Sequence, residues 1–409
     1  MNSSIADVRA RTGIFTLVVV AGVLIALEAL CFATYLAIRA KYFDVPPDRE
    51  TFVSQVRAQY EAPNFDESTG WIPPKDSINA DGSRISPDSS VVGVPCLSMY
   101  GDSFVFGSEV SDEHSWGNQI AKRLRCRVSN YGVPAYGTDQ AYLRFRHNDL
   151  DQSPQVILNV SAENLIRNVN QNRNFLLTLA RVGPFKPVFY FDDRDQLQLE
   201  PVPRLDAGSY DAFVANPRLL LKHDYFVPGL HPYGKLRAGF PYSVNVLGAL
   251  ADKRLKDSLF STFLVRSPWW HDFSDPSHPS RAFAITEAIV DQFVELATKR
   301  GKRPIVSFQP WSRDFPARFE TGKWIYSDLY ARCQSKGYDC FDAGAAMVAK
   351  LGASELQSVQ GICRHFCSNP KYLGGHYNER GNAVLAEVTI DYLAHRTTHS
   401  RPPMHAPLP

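Results

Sequence analysis

The sequence has almost no excess of charge of either sign. Its 44 Lys and Arg stand against 42 Asp and Glu, a formal net charge of +2, and no stretch is dense in basic residues. A nucleic-acid-binding chain carries a basic patch or stripe, so no nucleic-acid partner is expected. Metal-ligand clusters are missing too. The histidines do not gather at ligand spacing, and "CRHFC", with Cys363 and Cys367, has no second half to complete a zinc site. Neither a metal nor a cofactor is expected. What is present is apolar material: with 409 residues, 44% of them hydrophobic, the chain can bury one large core or two ordinary ones.

One apolar run stands out. From Gly13 to Ile38, "GIFTLVVVAGVLIALEALCFATYLAI" is interrupted by the single charge of Glu28. A helix of this length covers the roughly 30 Å hydrocarbon core with some tilt. Cleaved signal peptides have a shorter apolar core of about 7–15 residues, so the run reads as an uncleaved anchor. Glu28 is either a contact with a partner inside the membrane or a protonated carboxyl. Arg9 and Arg11 before the run are matched by Arg39 and Lys41 after it, so the positive-inside rule does not orient it. The cysteines do. Cys96, Cys126, Cys333, Cys340, Cys363 and Cys367 all follow the anchor, an even set with two local pairs. Such a set fits disulfides in an oxidising compartment, with Cys333–Cys340 and Cys363–Cys367 the simplest pairings. The expected location is the bacterial inner membrane, single-pass, with the body in the periplasm.

The remaining organisation follows from composition. Residues 1–12 form a cytoplasmic N-terminus and 13–38 the anchor. Residues 39–90 are polar and proline-punctuated, a stalk that leads into the body and packs on it. Residues 91–396 form the main domain, and 397–409, with "RPPMHAPLP", a disordered tail. Strand and helix patterns alternate through the domain. "VGVPCLSMY", "CRVSNYG", "QVILNVS", "RPIVSFQP" and "YDCFDAG" read as strands. "SWGNQIAKRL", with Ser115 as cap, "TDQAYLRFRHND", "ITEAIVDQFVELATKRG" and "GNAVLAEVTIDYLAHR" read as helices. Repeated strand-then-helix implies a parallel sheet covered on both faces. From about 170 to 280 the rhythm breaks, with a hairpin pattern in "KPVFYFDDRDQLQLEPVP" and a passage rich in aromatics and proline. This reads as an insertion on the strand-end face. Its Trp269 and Trp270 either stack on sugar rings or pack the insertion to the domain, and packing is the commoner fate of any single aromatic.

The first strand runs directly into "GDSFVFG". Together with "NYGVPAYGTDQ", "SAENLIRN" and "GGHYNERGN", this resembles the four blocks of the SGNH (GDSL) hydrolases, in a membrane-anchored bacterial form, over roughly residues 60–395. The resemblance implies an α/β fold, a flavodoxin-like three-layer α/β/α domain with a parallel sheet. It also implies that Ser103 is the nucleophile and His376 the general base. The backbone N–H groups of Ser103 and Ala135 and the side-chain amide of Asn164 then form the oxyanion hole. The chain departs from the family in three places. Ala135 replaces a glycine, tolerable if its φ stays negative. Glu163 stands where a glycine normally precedes the asparagine. Leu373 occupies the position of the family's third acid, three residues before the histidine. The site is therefore expected to work as a Ser–His dyad oriented by a backbone carbonyl, with Asp342 as a possible substitute acid. The implied activity is that of an anchored extracytoplasmic serine esterase. Its substrate would be an acylated polysaccharide or a small ester, with O-acetyl groups of an envelope or exported glycan foremost. Acyl transfer at the same serine, or a non-catalytic glycan-binding or assembly module, are the alternatives.

Overall fold

The structure is a computed structural model, and it describes residues 2–86, 93, 95–176, 185–228, 234–237, 239–252, 254, 256 and 268–399. The tail expected at 397–409 lies, from residue 400 on, outside the described residues.

Five strands form the central sheet: β1 (Leu97–Tyr100), β2 (Val128–Asn130), β3 (Gln155–Ser161), β4 (Arg303–Gln309) and β5 (Cys340–Asp342). Their order is β2–β1–β3–β4–β5, with every neighbouring pair parallel. This is the 2-1-3-4-5 order of doubly wound sheets, in which ligands bind beyond the carboxyl ends of the strands at the point where the winding reverses. Parallel strands buried on both faces need continuous apolar stretches rather than alternation. β1 and β3 supply them: Leu97, Met99, Tyr100, Val156, Ile157, Leu158 and Val160 are all buried.

Helices cover both faces. One layer contains α3 (Trp116–Leu124), α9 (Ala343–Leu351) and α10 (Glu379–His399); the other contains α4 (Thr138–Arg146), α7 (Ala282–Lys299) and α8 (Ser327–Ser335). Their apolar residues recur at helical spacing. In α7, Ile285, Ile289 and Phe293 are buried, and Gly301 follows the helix at φ +70°, the left-handed geometry that ends helices. Ser115 stands at the N-cap of α3 as expected, but its hydroxyl does not cap the helix. It donates instead to the Asp112 carbonyl at 2.9 Å.

Segments outside the alternating core pack onto it. The helix Arg49–Tyr60 buries Phe52 and Val56 in the same cluster as the sheet. The aromatic hairpin is present, with Val188–Phe191 antiparallel to Leu197–Glu200. Trp269 and Trp270 are buried. Trp269 packs on Phe226 and Phe273, and Trp270 on Trp311. Of the two fates open to these indoles, packing is the one observed.

The six cysteines after the anchor are all paired, as Cys96–Cys126, Cys333–Cys340 and Cys363–Cys367. Cys96 and Cys126 lie just ahead of β1 and β2 and close a loop of sequence separation 30. On chain-entropy grounds, replacing both with serine is expected to lower stability by about 3–4 kcal/mol. Urea midpoints compared between the two forms will check this.

Candidate active site

The local turn after β1 decides where the hydroxyl goes. Asp102 caps the four-residue helix α2 (Ser103–Phe106) by accepting the Phe104 N–H at 2.9 Å, so Ser103 becomes its first residue. Gly132, just past β2, lies against this turn. A Cβ there would sit 2.3 Å from the Phe106 nitrogen, so only glycine lets the two strand ends approach.

His376 arrives from the loop before α10. Gly375 precedes it at φ +69°, and the His376 N–H donates to the Ser368 hydroxyl at 2.7 Å. The Gly375 carbonyl accepts from the Trp311 indole at 2.6 Å. With the backbone held at both residues, the imidazole lies against the Phe104 ring, centroids 5.1 Å apart. Its Nε2 is 2.8 Å from the Ser103 hydroxyl. Two side chains separated by 273 residues thus meet at hydrogen-bond distance, the geometry a general base needs.

The other ring nitrogen corrects the sequence reading. Nδ1 of His376 lies 2.8 Å from the carboxylate of Glu109. Neither a main-chain carbonyl nor Asp342 takes that place. The Leu373 carbonyl accepts from Arg313 at 3.3 Å. Asp342 caps α9, accepting from the Ala345 N–H and the Tyr326 hydroxyl, both at 2.8 Å. The Ser103 hydroxyl, the His376 ring and the Glu109 carboxylate therefore form a continuous hydrogen-bonded chain, with the carboxylate coming from the segment just after the serine. A tight return makes this reach possible: Gly107 at φ +77° and Glu109 at φ +69° are both left-handed. For glutamate that conformation is strained, and such strain concentrates at functional sites. The sequence held one clue. Leu373 leaves the usual acid position without a carboxylate, and "FGSEV" carries one six residues after the serine.

Arg167 ties the remaining pieces together. It is buried on α5 (Ala162–Asn168). It donates to the Tyr136 carbonyl, next to Ala135, at 2.8 Å and lies 3.4 Å from both Asp102 and the Asn164 side-chain oxygen. One guanidinium thus links the turns that carry Ser103, Ala135 and Asn164. With the Asn164 oxygen turned toward Arg167, its amide nitrogen is the other end, buried and, among the described residues, without a hydrogen-bond partner. A buried donor of this kind is costly unless a ligand satisfies it, and an oxyanion would.

Glu163 does not place a loose charge at the site, because it pairs with Arg167 at 2.7 Å. Burial alone would raise its carboxyl, but the charge and hydrogen bond of Arg167 outweigh burial and hold it below the ordinary range. For Asp102 burial prevails over Arg167, and its carboxyl is raised. Arg173 lies close enough to influence Glu163 and is fully buried. Burial lowers its guanidinium to about 9, and among the described residues none of its three nitrogens has a hydrogen-bond partner.

Ala135 has φ +69°, so the condition for alanine to replace glycine without strain is not met. A side chain in the left-handed region costs about 1–2 kcal/mol. Ala135→Gly is expected to stabilise the fold by a few tenths to about 1 kcal/mol, the relief of strain being partly offset by unfolded-state entropy. Turnover should stay within about twofold if, as the resemblance implies, this residue contributes only its backbone N–H. Thermal melts and initial rates together test both halves.

No family model matches the chain, and no curated protein matches it. Among solved structures, a lipolytic protein of the G-D-S-L family from Desulfitobacterium hafniense DCB-2 is similar at 12% identity. The match covers 72% of this chain and 98% of that one, with a TM-score of 0.32. A member of the lipolytic G-D-S-L family from Veillonella parvula DSM 2008 matches at 8% identity, covering 72% and 96%, with a TM-score of 0.33. A protein assigned as an acylhydrolase from Bacteroides fragilis NCTC 9343 matches at 14%, covering 76% and 91%, again with a TM-score of 0.33. These likenesses are remote, and the roles of the residues rest on the distances given above.

Proposed function

We propose that this chain is a serine esterase of the SGNH (GDSL) type, held at a membrane by its N-terminal helix, and that it removes ester-linked acyl groups. The observation that carries the proposal is the continuous relay from the Ser103 hydroxyl through His376 to Glu109, with both links at 2.8 Å. His376 takes the Ser103 proton as the oxygen attacks the ester carbonyl. Glu109 holds the imidazole in the tautomer that leaves Nε2 free to accept and stabilises the imidazolium that results. The oxyanion is met by the Ser103 and Ala135 N–H groups and by the Asn164 amide. His376 returns its proton to the leaving alcohol, and water then releases the acyl group from Ser103.

Two of the departures from the family, at Leu373 and at Glu163, do not count against this reading. The acid missing at Leu373 is supplied by Glu109, and the charge of Glu163 is matched by Arg167. The helix Thr12–Arg39 is long and apolar enough to cross a membrane. Three disulfides in the body support an oxidising compartment, which for an inner-membrane protein is the periplasm. The substrate class in this reading is an O-acylated, chiefly O-acetylated, envelope or exported polysaccharide.

A fluorophosphonate probe tests the chemistry without knowledge of the substrate. One adduct per chain is expected, on Ser103, and none in Ser103→Ala. A wild-type chain that stays unlabelled would remove the enzyme reading. Acetate released from acetylated glycan with no acceptor present would then favour hydrolysis over transfer.

A further inference from the structure

The anchor helix α1 (Asn2–Tyr42) is not bare along its whole length. From Ile14 to Leu27 its side chains are exposed all round, whereas Glu28, Cys31, Thr34, Tyr35 and Ile38 are partly or fully covered. These positions repeat at three and four residues and form one face. What covers it comes from the insertion, more than 200 residues later. Leu236–Arg237 pairs in parallel with Phe43–Asp44. After a short connection, the helix α6 (Tyr242–Ala251) packs along α1. The Tyr242 ring lies 4.8 Å from Phe32 and 5.2 Å from Tyr35, while Ala249 packs with Phe43 at the other end.

Glu28 makes the join. Its carboxylate accepts the backbone N–H groups of Tyr242 and, at 3.0 Å, Ser243. These are donors at the start of a helix, which have no partner within it. The Asn245 amide donates to the Gly239 and Pro241 carbonyls. The one acidic residue of the apolar run is thus spent on the polar groups that a turn inside a membrane would leave unsatisfied.

We propose that residues 236–252 form a re-entrant hairpin that enters the hydrocarbon beside the anchor and is locked there by Glu28. Residues 238–251, "AGFPYSVNVLGALA", contain no Asp, Glu, Lys, Arg or His. A stretch of about 10–14 apolar residues is too short to span but long enough to re-enter. At 1.5 Å per residue, the Glu28 end of α6 lies about 10–15 Å on the membrane side of Ile38. Phe240, Val244 and Leu247 are 81%, 66% and 55% exposed, and Phe32 and Leu36 of the anchor beside them are exposed too. An apolar surface of this extent is matched by acyl chains rather than water. The charges begin where the hairpin would leave the lipid. Asp44, Lys235, Asp252 and Arg254 gather at its open end, near enough for Lys235 to feel Asp44 and for Arg254 to feel Asp252. The hairpin gives the domain a second membrane attachment, so that the active-site rim is held at a set height rather than swinging on a single helix.

The hairpin rests on the anchor reading, and one experiment separates the two. In a full-length Cys31→Ala background, the six paired cysteines do not react with thiol probes. Single cysteines at Leu24, Val244 and Asp193 are labelled with an environment-sensitive fluorophore in liposomes. The lipids are brominated either near the headgroup or near the tail end. Quenching by tail-end bromine at Val244 is expected within about twofold of that at Leu24, with none at Asp193. Quenching at Leu24 but not at Val244, or at Val244 by headgroup-side bromine alone, overturns the hairpin. Loss of quenching at Leu24 itself overturns the anchor. Adding Glu28→Leu should bring Val244 down to the Asp193 level while Leu24 is unchanged, and Glu28→Gln, which keeps an acceptor oxygen, should preserve part of the signal. Unchanged quenching at Val244 in Glu28→Leu would overturn the lock. A thermal melt of the detergent-solubilised variants confirms that the soluble domain remains folded.

Discussion

Ser103→Ala is expected to lower turnover of a soluble ester by about 10⁵-fold, with the melting temperature essentially unchanged. The size follows from how such a unit fails. Once the nucleophile is gone, the base and acid have nothing to activate, and only substrate binding and the oxyanion donors remain. These give about 10³–10⁴-fold over water. Folding is indifferent because the Ser103 hydroxyl packs no core: what holds the turn is the Asp102 carboxylate on the Phe104 N–H. Initial rates with an activated acetate ester, beside a thermal melt, make the measurement. Activity within tenfold of wild type in the alanine variant would remove Ser103 from the mechanism.

Glu109→Gln should reduce kcat by about 10²–10³-fold, with KM changed little. In a buried triad, loss of the acid's charge costs about 10⁴ because the imidazole settles in the wrong tautomer. The Glu109 side chain is 46% exposed, and water screens part of its charge, so a smaller loss is expected here. The kcat-specific effect marks a residue that acts on the transition state through His376; a defect in binding would appear in KM. Glu109→Gly adds a second readout. It relieves a left-handed glutamate at φ +69°, so it should match or slightly exceed wild type in stability while being as inactive as Glu109→Gln. Asp342→Asn is the control. Asp342 caps α9 and asparagine caps about as well, so stability is expected to change by no more than a few tenths of a kcal/mol and kcat to stay within twofold. If Asp342→Asn lost activity and Glu109→Gln did not, the relay would be wrongly assigned.

The candidate site was legible where chemistry follows local grammar. An apolar strand that ends in Gly-Asp-Ser, and a histidine just before the last helix, can be read along the chain because each depends on neighbours a few residues away. Glu109 could not be read in this way. A carboxylate becomes the partner of a histidine 267 residues later only if the intervening strands bring the two loops together. Nothing in the residue itself distinguishes it from a solvated surface acid. Ala135 shows the same limit for backbone. Its identity argued for negative φ, and the folded loop holds it at +69°. Glu28 was visible as an anomaly in an apolar run, but its partners lie 214 and 215 residues away.

What the order of residues determined by itself was the alternation of strand and helix, the apolar run near the N-terminus and the even set of cysteines. Each of these depends on side-chain period, on length or on number, all of which are properties of a line. The tertiary structure decided which acid faces His376, which end of Asn164 points outward, whether Trp269 and Trp270 are free or packed, and what covers Glu28. Those outcomes depend on distances between loops and helices that approach one another only when the sheet assembles, and a hydrogen bond of 2.8 Å is set by that assembly, not by spacing along the chain.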